Sequence, residues 1–409
     1  MNKRRFLGLA AAAATAPAWP LHSWAQATPT ADFASVVRHY AVLVSAGYED
    51  TLAAALELQA AIGSFTKQPS AEGLDAARKA WLAAREWYGQ TEAFRFYGGP
   101  IDDDKGPEGR LNAWPMDEAF VDGTRDRPNA GIVNDKKVAI TKAYLSRMNE
   151  RGGEENIATG WHAIEFLLWG QDFNDNGPGD RSFEDFVDGK KPNADRRRRY
   201  LTVVTELLIN DLRFLTKAWQ PGVKGNYRAR FEAGGRESVR KIIVGLGSLS
   251  RGELAGERLE VALNTQDQED EHSCFSDNTH RDAVTNALGI ENVWLGQYRR
   301  RDGSTLQGPS LRDLVQAKDP AVAERTTRQI SQSVAAAREI RAPFDREILG
   351  DDNAPGRRRI KTVIDSLVQQ SKDLVAAASA VGITIAATRI PRRRDTSAMA
   401  CARVATRNR

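Results

Sequence analysis

The chain has 409 residues, 41% of them hydrophobic, enough for a sizeable core and, by length, for two domains. Its net charge of +4 is unevenly spread. Lys3, Arg4 and Arg5 supply +3 and the tail from Arg389 supplies +6, so the body stands at about −5 and gives no electrostatic case for nucleic acid. With only Cys274 and Cys401 present, a disulfide framework and a Cys-x-x-Cys metal or redox site are both excluded.

Residues 1–25 read as a signal peptide: a basic start, an Ala-rich apolar run from Phe6 to Ala18, and small residues for cleavage at Ser23-Trp24-Ala25. The run is too short for a good membrane span. Arg4-Arg5-Phe6-Leu7 also fits a twin-arginine signal loosely, so the export route stays open between that and ordinary secretion. Apolar residues at three- and four-residue steps then predict helices over 33–65 (broken near Gly47), 74–96, 136–148, 157–169, 200–219, 236–263, 320–341 and 360–381. Strand-like alternation is scarce. The expected fold is all-α, with long helices packed as two bundle-like domains, 26–190 and 191–388. Long irregular loops, 97–131 and 170–195, interrupt the helices, and loops of that length are usually functional or disordered. The tail, 389–409, is basic without apolar periodicity and reads as disordered. No later stretch approaches 18 apolar residues, so the mature protein is expected to lack a stable membrane span.

Of the five histidines, His22 leaves with the signal and His39 stands alone. His162 lies in Gly160-Trp161-His162-Ala163-Ile164-Glu165, inside an apolar helix. Three residues apart, His162 and Glu165 project from one helix face. An imidazole and a carboxylate so placed suit a transition metal, iron or zinc among them. They equally suit a hydrogen-bonded pair fixing two helices. No zinc-protease motif is present, since Phe166 follows Glu165. Two ligands cannot complete a metal site, and the richest further source is the segment from Asp267 to Asp282, which holds six acids and two histidines: Glu269, Glu271, His272, Asp277 and His280 are candidates. Near the end of an earlier helix, Glu92 and Arg95, with Asp102 after a Gly-Gly-Pro break, are further candidates, and an intrahelical ion pair is the plainer reading there. Asp172, Asn174, Asn176 and Gly177 match the opening of a calcium loop, but Phe183 stands where the bidentate glutamate belongs. Nucleophile elbows, Walker loops and Rossmann fingerprints are absent.

Taken together, the Gly160–Glu165 motif, the stretch from Trp81 to Pro100 with Glu92-Ala93-Phe94-Arg95-Phe96, Trp114-Pro115, and the run from Asp270 to His280 resemble the imelysin family. The likeness is to its iron-regulated bacterial branch and covers roughly residues 32–385. The resemblance implies an all-helical fold of two bundles with a site between them, an envelope location and a link to iron acquisition. It carries a metallopeptidase label as well. By motif, His162 and Glu165 are the functional pair; the basic tail departs from the family pattern. Three functions therefore stand: a periplasmic metal-binding protein, a metallopeptidase using the same site, and a metal-free scaffold or ligand-binding protein.

Overall fold

The computed structural model describes residues 31–174 and 176–385. The signal peptide, His22, the basic tail and Cys401 lie outside the described residues. The protein is all-α, and the one strand pairing among the described residues is a short antiparallel hairpin, Gln297–Arg299 with Thr305–Gln307.

The first helix, Phe33–Lys67, starts in a capping box: Asp32 accepts from the Ser35 N–H while the Ser35 hydroxyl accepts from the Asp32 N–H. It runs unbroken through Gly47, where the Phe94 ring occupies the space a side chain would need. The second helix, Ala71–Thr91, is capped by Ser70, ends in a single turn of 3-10 helix, Glu92–Phe94, and packs along the first. Helices Gly160–Trp169 and Ala194–Ala218 complete a first group with these two. A second group consists of Arg236–Ser248, which continues through a wide π-helical stretch (Leu249–Glu260) into Val261–Thr265, with Pro320–Arg338 and Pro355–Ala380. Between the groups runs Thr279–Leu295, which packs on Ala71–Thr91 and on Pro320–Arg338. The apolar core is continuous from Val36 to Ile383 and crosses the loop at 170–195.

Two differences from the expected elements have a local cause. Of the helix expected over 136–148, only Lys142–Met148 forms, because Thr141 caps it by accepting from the Tyr144 N–H. Thr279–Leu295 escaped the apolar pattern because Asp282, Thr285 and Asn286 occupy buried positions on it and interrupt the stripe.

Candidate metal centre

The helix Gly160–Trp169 is buried on every side, all ten residues included, and so belongs inside a core rather than on a surface. Gly160 begins it with φ +88°, and a Cβ there would lie 2.4 Å from the Leu111 carbonyl oxygen; only glycine allows both. One turn along, His162 Nδ1 and Glu165 Oε2 are 2.8 Å apart. The other carboxyl oxygen of Glu165 accepts from the Ser276 N–H (3.0 Å) and hydroxyl (2.6 Å), so both oxygens are engaged. His162 Nε2, in contrast, is buried without a hydrogen-bond partner. Such orphans are rare and call for an explanation.

The His272 ring stands 4.8 Å from that of His162, centroid to centroid, nearly edge-on at 72°. His272 Nδ1 lies 2.8 Å from Asp282 Oδ2. Burial would raise the Asp282 carboxyl, but Arg85, His272 and Ser273 overcome it and hold the group well below the usual carboxylate range. An ionised Asp282 must be met by Nδ1–H, which leaves the His272 Nε2 lone pair for the Asn112 amide, 3.4 Å away. Arg85 donates to Asp282 (2.9 Å) and Asn112 (2.7 Å) and lies over the faces of Trp81, Tyr88 and Trp161. Trp114 closes on His272 from another side at 5.2 Å.

The electrostatics follow from this sealing. Burial, with Arg85 adding to it at His162 and Arg258 at His272, depresses both imidazoles well below their ordinary value, so both are neutral at physiological pH. Burial also pushes the Glu165 carboxyl up to about 8, against the two Ser276 hydrogen bonds. At His272 the ionised Asp282 at Nδ1 gives the carboxylate–histidine arrangement that orients metal-binding rings; at His162 the same position is taken by Glu165, whose carboxyl is mainly protonated at neutral pH. Among the described residues, no three His, Cys, Asp or Glu side chains already converge as a ligand set. The arrangement is a buried pair of neighbouring imidazoles, each engaged at Nδ1 by a carboxyl group.

The other candidate residues are dispersed. Glu92 sits beside this centre in a buried ionic cluster, accepting from Arg95 and Arg258, each at 2.6 Å. Arg95 also pairs with Glu108 at 2.8 Å. Asp102 accepts from the backbone N–H groups of Phe96 and Gly99 and shapes the loop there. Glu269 is exposed and its carboxyl meets that of Glu118. Glu271 and Asp277 face other acids, Asp172 and Asp345 among them, and Glu165 also acts on Asp277. His280 bonds the Asp277 carbonyl (3.0 Å) and lines a cavity of about 660 Å³ together with Leu82, Glu86, Pro178 and Ser276. That cavity borders the centre, since Ser276 is also the donor to Glu165. His39 bonds the Gly296 carbonyl oxygen and takes no part. Cys274 is partly exposed, and burial of its thiol with acids around it raises its pKa well above the ordinary value, which makes it a poor nucleophile. Arg85, Asn112, Ser273, Ser276 and Asp282 are members of the centre that the sequence reading did not select.

The Imelysin (Peptidase M75) family model matches residues 44–374. The chain belongs to the imelysin family. It is similar to Iron-regulated protein A of Synechococcus elongatus, 27% identical over 347 residues that span 81% of this chain and 84% of the relative. Its fold is similar to the crystal structure of a protein designated an iron-regulated protein A precursor, from Parabacteroides distasonis. That match has a TM-score of 0.65 at 20% identity and covers 87% of this chain and 97% of the other. No helix among the described residues is long and apolar enough to cross a membrane.

Proposed function

We propose that this imelysin-family protein works in the periplasm and binds a transition metal, iron foremost and zinc by the same chemistry, as cargo or as a sensed ion in iron-linked physiology. The observation that carries the reading is the buried, unpartnered Nε2 of His162 beside the His272 ring. A metal would be held by these two imidazoles, with Asp282 orienting one ring, Glu165 giving up its proton and orienting the other, and water in the remaining positions. Burying two ring nitrogens with a single weak acceptor contact between them costs stability, and a cation with open coordination positions offsets that cost. The name of the Synechococcus relative, Iron-regulated protein A, supports iron as the metal. The basic and apolar start of the chain supports export.

A second reading, a metallopeptidase at the same centre, draws on the family label and on one observation: a buried Glu165 held at about 8 is poised for proton transfer near neutral pH. The two separate cleanly. Protein purified without chelator is assayed for bound iron and zinc, as wild type, His162→Ala and His272→Ala. Stoichiometric metal in wild type and its loss in both variants is expected; wild type without metal overturns both readings. Metal-loaded protein that leaves peptides intact, matched against a chelator-treated control, removes the peptidase.

A further inference from the structure

The two long irregular loops, 97–131 and 170–195, meet around a cleft of about 500 Å³ that includes no residue of the His162 centre. One wall is the buried pair of Asp122 with Arg197, whose Nε and Nη2 take one carboxyl oxygen each (2.6 and 3.1 Å). That pair is complete by itself. Arg181 adds a second cation: its Nη1 reaches an Asp122 oxygen that Arg197 already holds (3.0 Å) and, at 3.4 Å, Asp185. The Arg181 side chain is only 7% exposed, and its Nε is buried with no hydrogen-bond partner.

Nε and Nη2 form the edge of a guanidinium that meets two oxygens of an oxyanion at once. Arg110, Arg197, Arg281 and Arg359 each give that edge to a carboxylate. At Arg181 its Nε half is unused. Arg85, Arg95 and Arg357 also leave Nε unpaired, but none of them lines this cleft. Gly170, which ends the helix Gly160–Trp169 with φ +76°, stands beside the unused edge, and a Cβ there would come within 3.3 Å of Nε. Glycine therefore keeps that side bare. A buried guanidinium with an unused donor costs stability, and an acceptor brought by a ligand offsets it. Arg125 and Lys191 line the same cleft. The Arg125 guanidinium lies 3.4 Å over the Phe173 ring, another lining residue and 54% exposed, which limits the freedom Arg125 would lose on binding. Four basic side chains thus line the cleft against three aspartates, and Arg197 and Arg181 already occupy two of those. A basic recess on a body that carries about −5 draws anions. Its volume suits a small organic molecule better than a lone ion.

We propose that this cleft binds a small organic oxyanion, a polycarboxylate or a phosphate monoester, distinct from any ion at the His162 centre. One oxyanion group takes the Nε edge of Arg181, and Arg125 and Lys191 hold the negative charge that reaches the rim. The two ligand classes share the chemistry that the guanidinium edge reads, paired oxygens on one charged group.

The test uses the full chain, stripped of metal by a chelator that is then dialysed away. Citrate, glycerol 2-phosphate and inorganic phosphate are titrated separately by calorimetry at constant ionic strength, with thermal unfolding followed in parallel. Wild type is expected to bind citrate or glycerol 2-phosphate, one per chain and more tightly than inorganic phosphate, and to melt at a higher temperature as that ligand rises. The double variant Arg125→Gln, Lys191→Gln alters the rim alone. It is expected to melt like wild type without ligand and to bind roughly tenfold more weakly. Arg181→Lys keeps the charge but loses the forked edge and is expected to lose binding; the rim variant decides where Arg181→Lys fails to fold. His162→Ala is expected to bind as wild type does. Binding of citrate alone supports the site as one for polycarboxylates, and binding of glycerol 2-phosphate alone supports it as one for phosphate esters. Wild type that binds neither overturns it, and so does binding that is unchanged in the rim variant. Inorganic phosphate held as tightly as the organic anions overturns the organic ligand, and loss of binding in His162→Ala overturns the separateness of the cleft.

Discussion

Glu92→Gln tests the charge balance next to the His162 centre. Glu92 is 1% exposed and accepts from Arg95 and Arg258 through one carboxyl oxygen. Burial alone would raise its carboxyl, but the two arginines overcome this and hold it at about 2, against an ordinary value of 4.5. A folded-state value below the unfolded one means the ionised group stabilises the fold above pH 4.5, and that this contribution is lost as pH falls toward 2. The difference corresponds to roughly 3 kcal/mol at neutral pH. Removing one partner of a buried ion pair typically costs about 3–5 kcal/mol. The low end is expected here, because Arg95 keeps Glu108 (2.8 Å) and Arg258 keeps Glu253 (3.0 Å) and Asn286 (2.6 Å). Urea unfolding of wild type and Glu92→Gln at a series of pH values supplies the measurement. The gap between the two proteins should be largest at pH 7 and should narrow below pH 4.5. A gap that stays constant with pH would assign the loss to packing rather than charge, and no gap at pH 7 would refute the reasoning.

Two further changes probe the centre itself. Arg85→Met leaves the Asp282 carboxylate buried with His272 and Ser273 as its remaining partners, and should destabilise the fold by about 3–5 kcal/mol in chemical unfolding. Ser276→Ala removes the 2.6 Å hydroxyl bond to Glu165 but keeps the backbone one. It should cost about 1–3 kcal/mol and extend the protonated form of Glu165 to higher pH, read from the infrared carboxyl band; an unchanged band would separate Ser276 from the titration of Glu165.

Much of the fold was legible because long helices with a buried stripe impose a 3.6-residue repeat on the sequence. The helix Thr279–Leu295 was illegible for the opposite reason: its buried face carries Asp282, Thr285 and Asn286, and the partners of Asp282 and Asn286, Arg85 and Gly89, lie far away in sequence. The His162–Glu165 pair was legible from spacing alone, since one helical turn brings the two groups within 2.8 Å. What surrounds it was harder to read. Ser276, Asp282 and Asn112 act through contacts between elements, which local spacing does not encode. Arg85 did leave a signal: with Trp81, Tyr88 and Glu92 it recurs at four- and three-residue steps on one helix face, placing a cation among aromatic residues that are buried together.

The segment from Glu271 to Asp277 divides between two surroundings. Read as a string, its acids and histidines form one ligand supply; in the fold its neighbours serve different surroundings. His272, Ser273 and Ser276 join the His162 centre, where Arg85 balances Asp282 and Ser276 holds Glu165. Glu271 and Asp277 face other acids instead, and burial, with Asp345 and Asp172 adding to it, raises both carboxyls above their ordinary value. Asp282, only a few residues on, is held below its ordinary value, against its burial, by Arg85. Acids close together in the chain thus meet opposite electrostatics, because the fold sets each against partners from other elements, which composition does not encode.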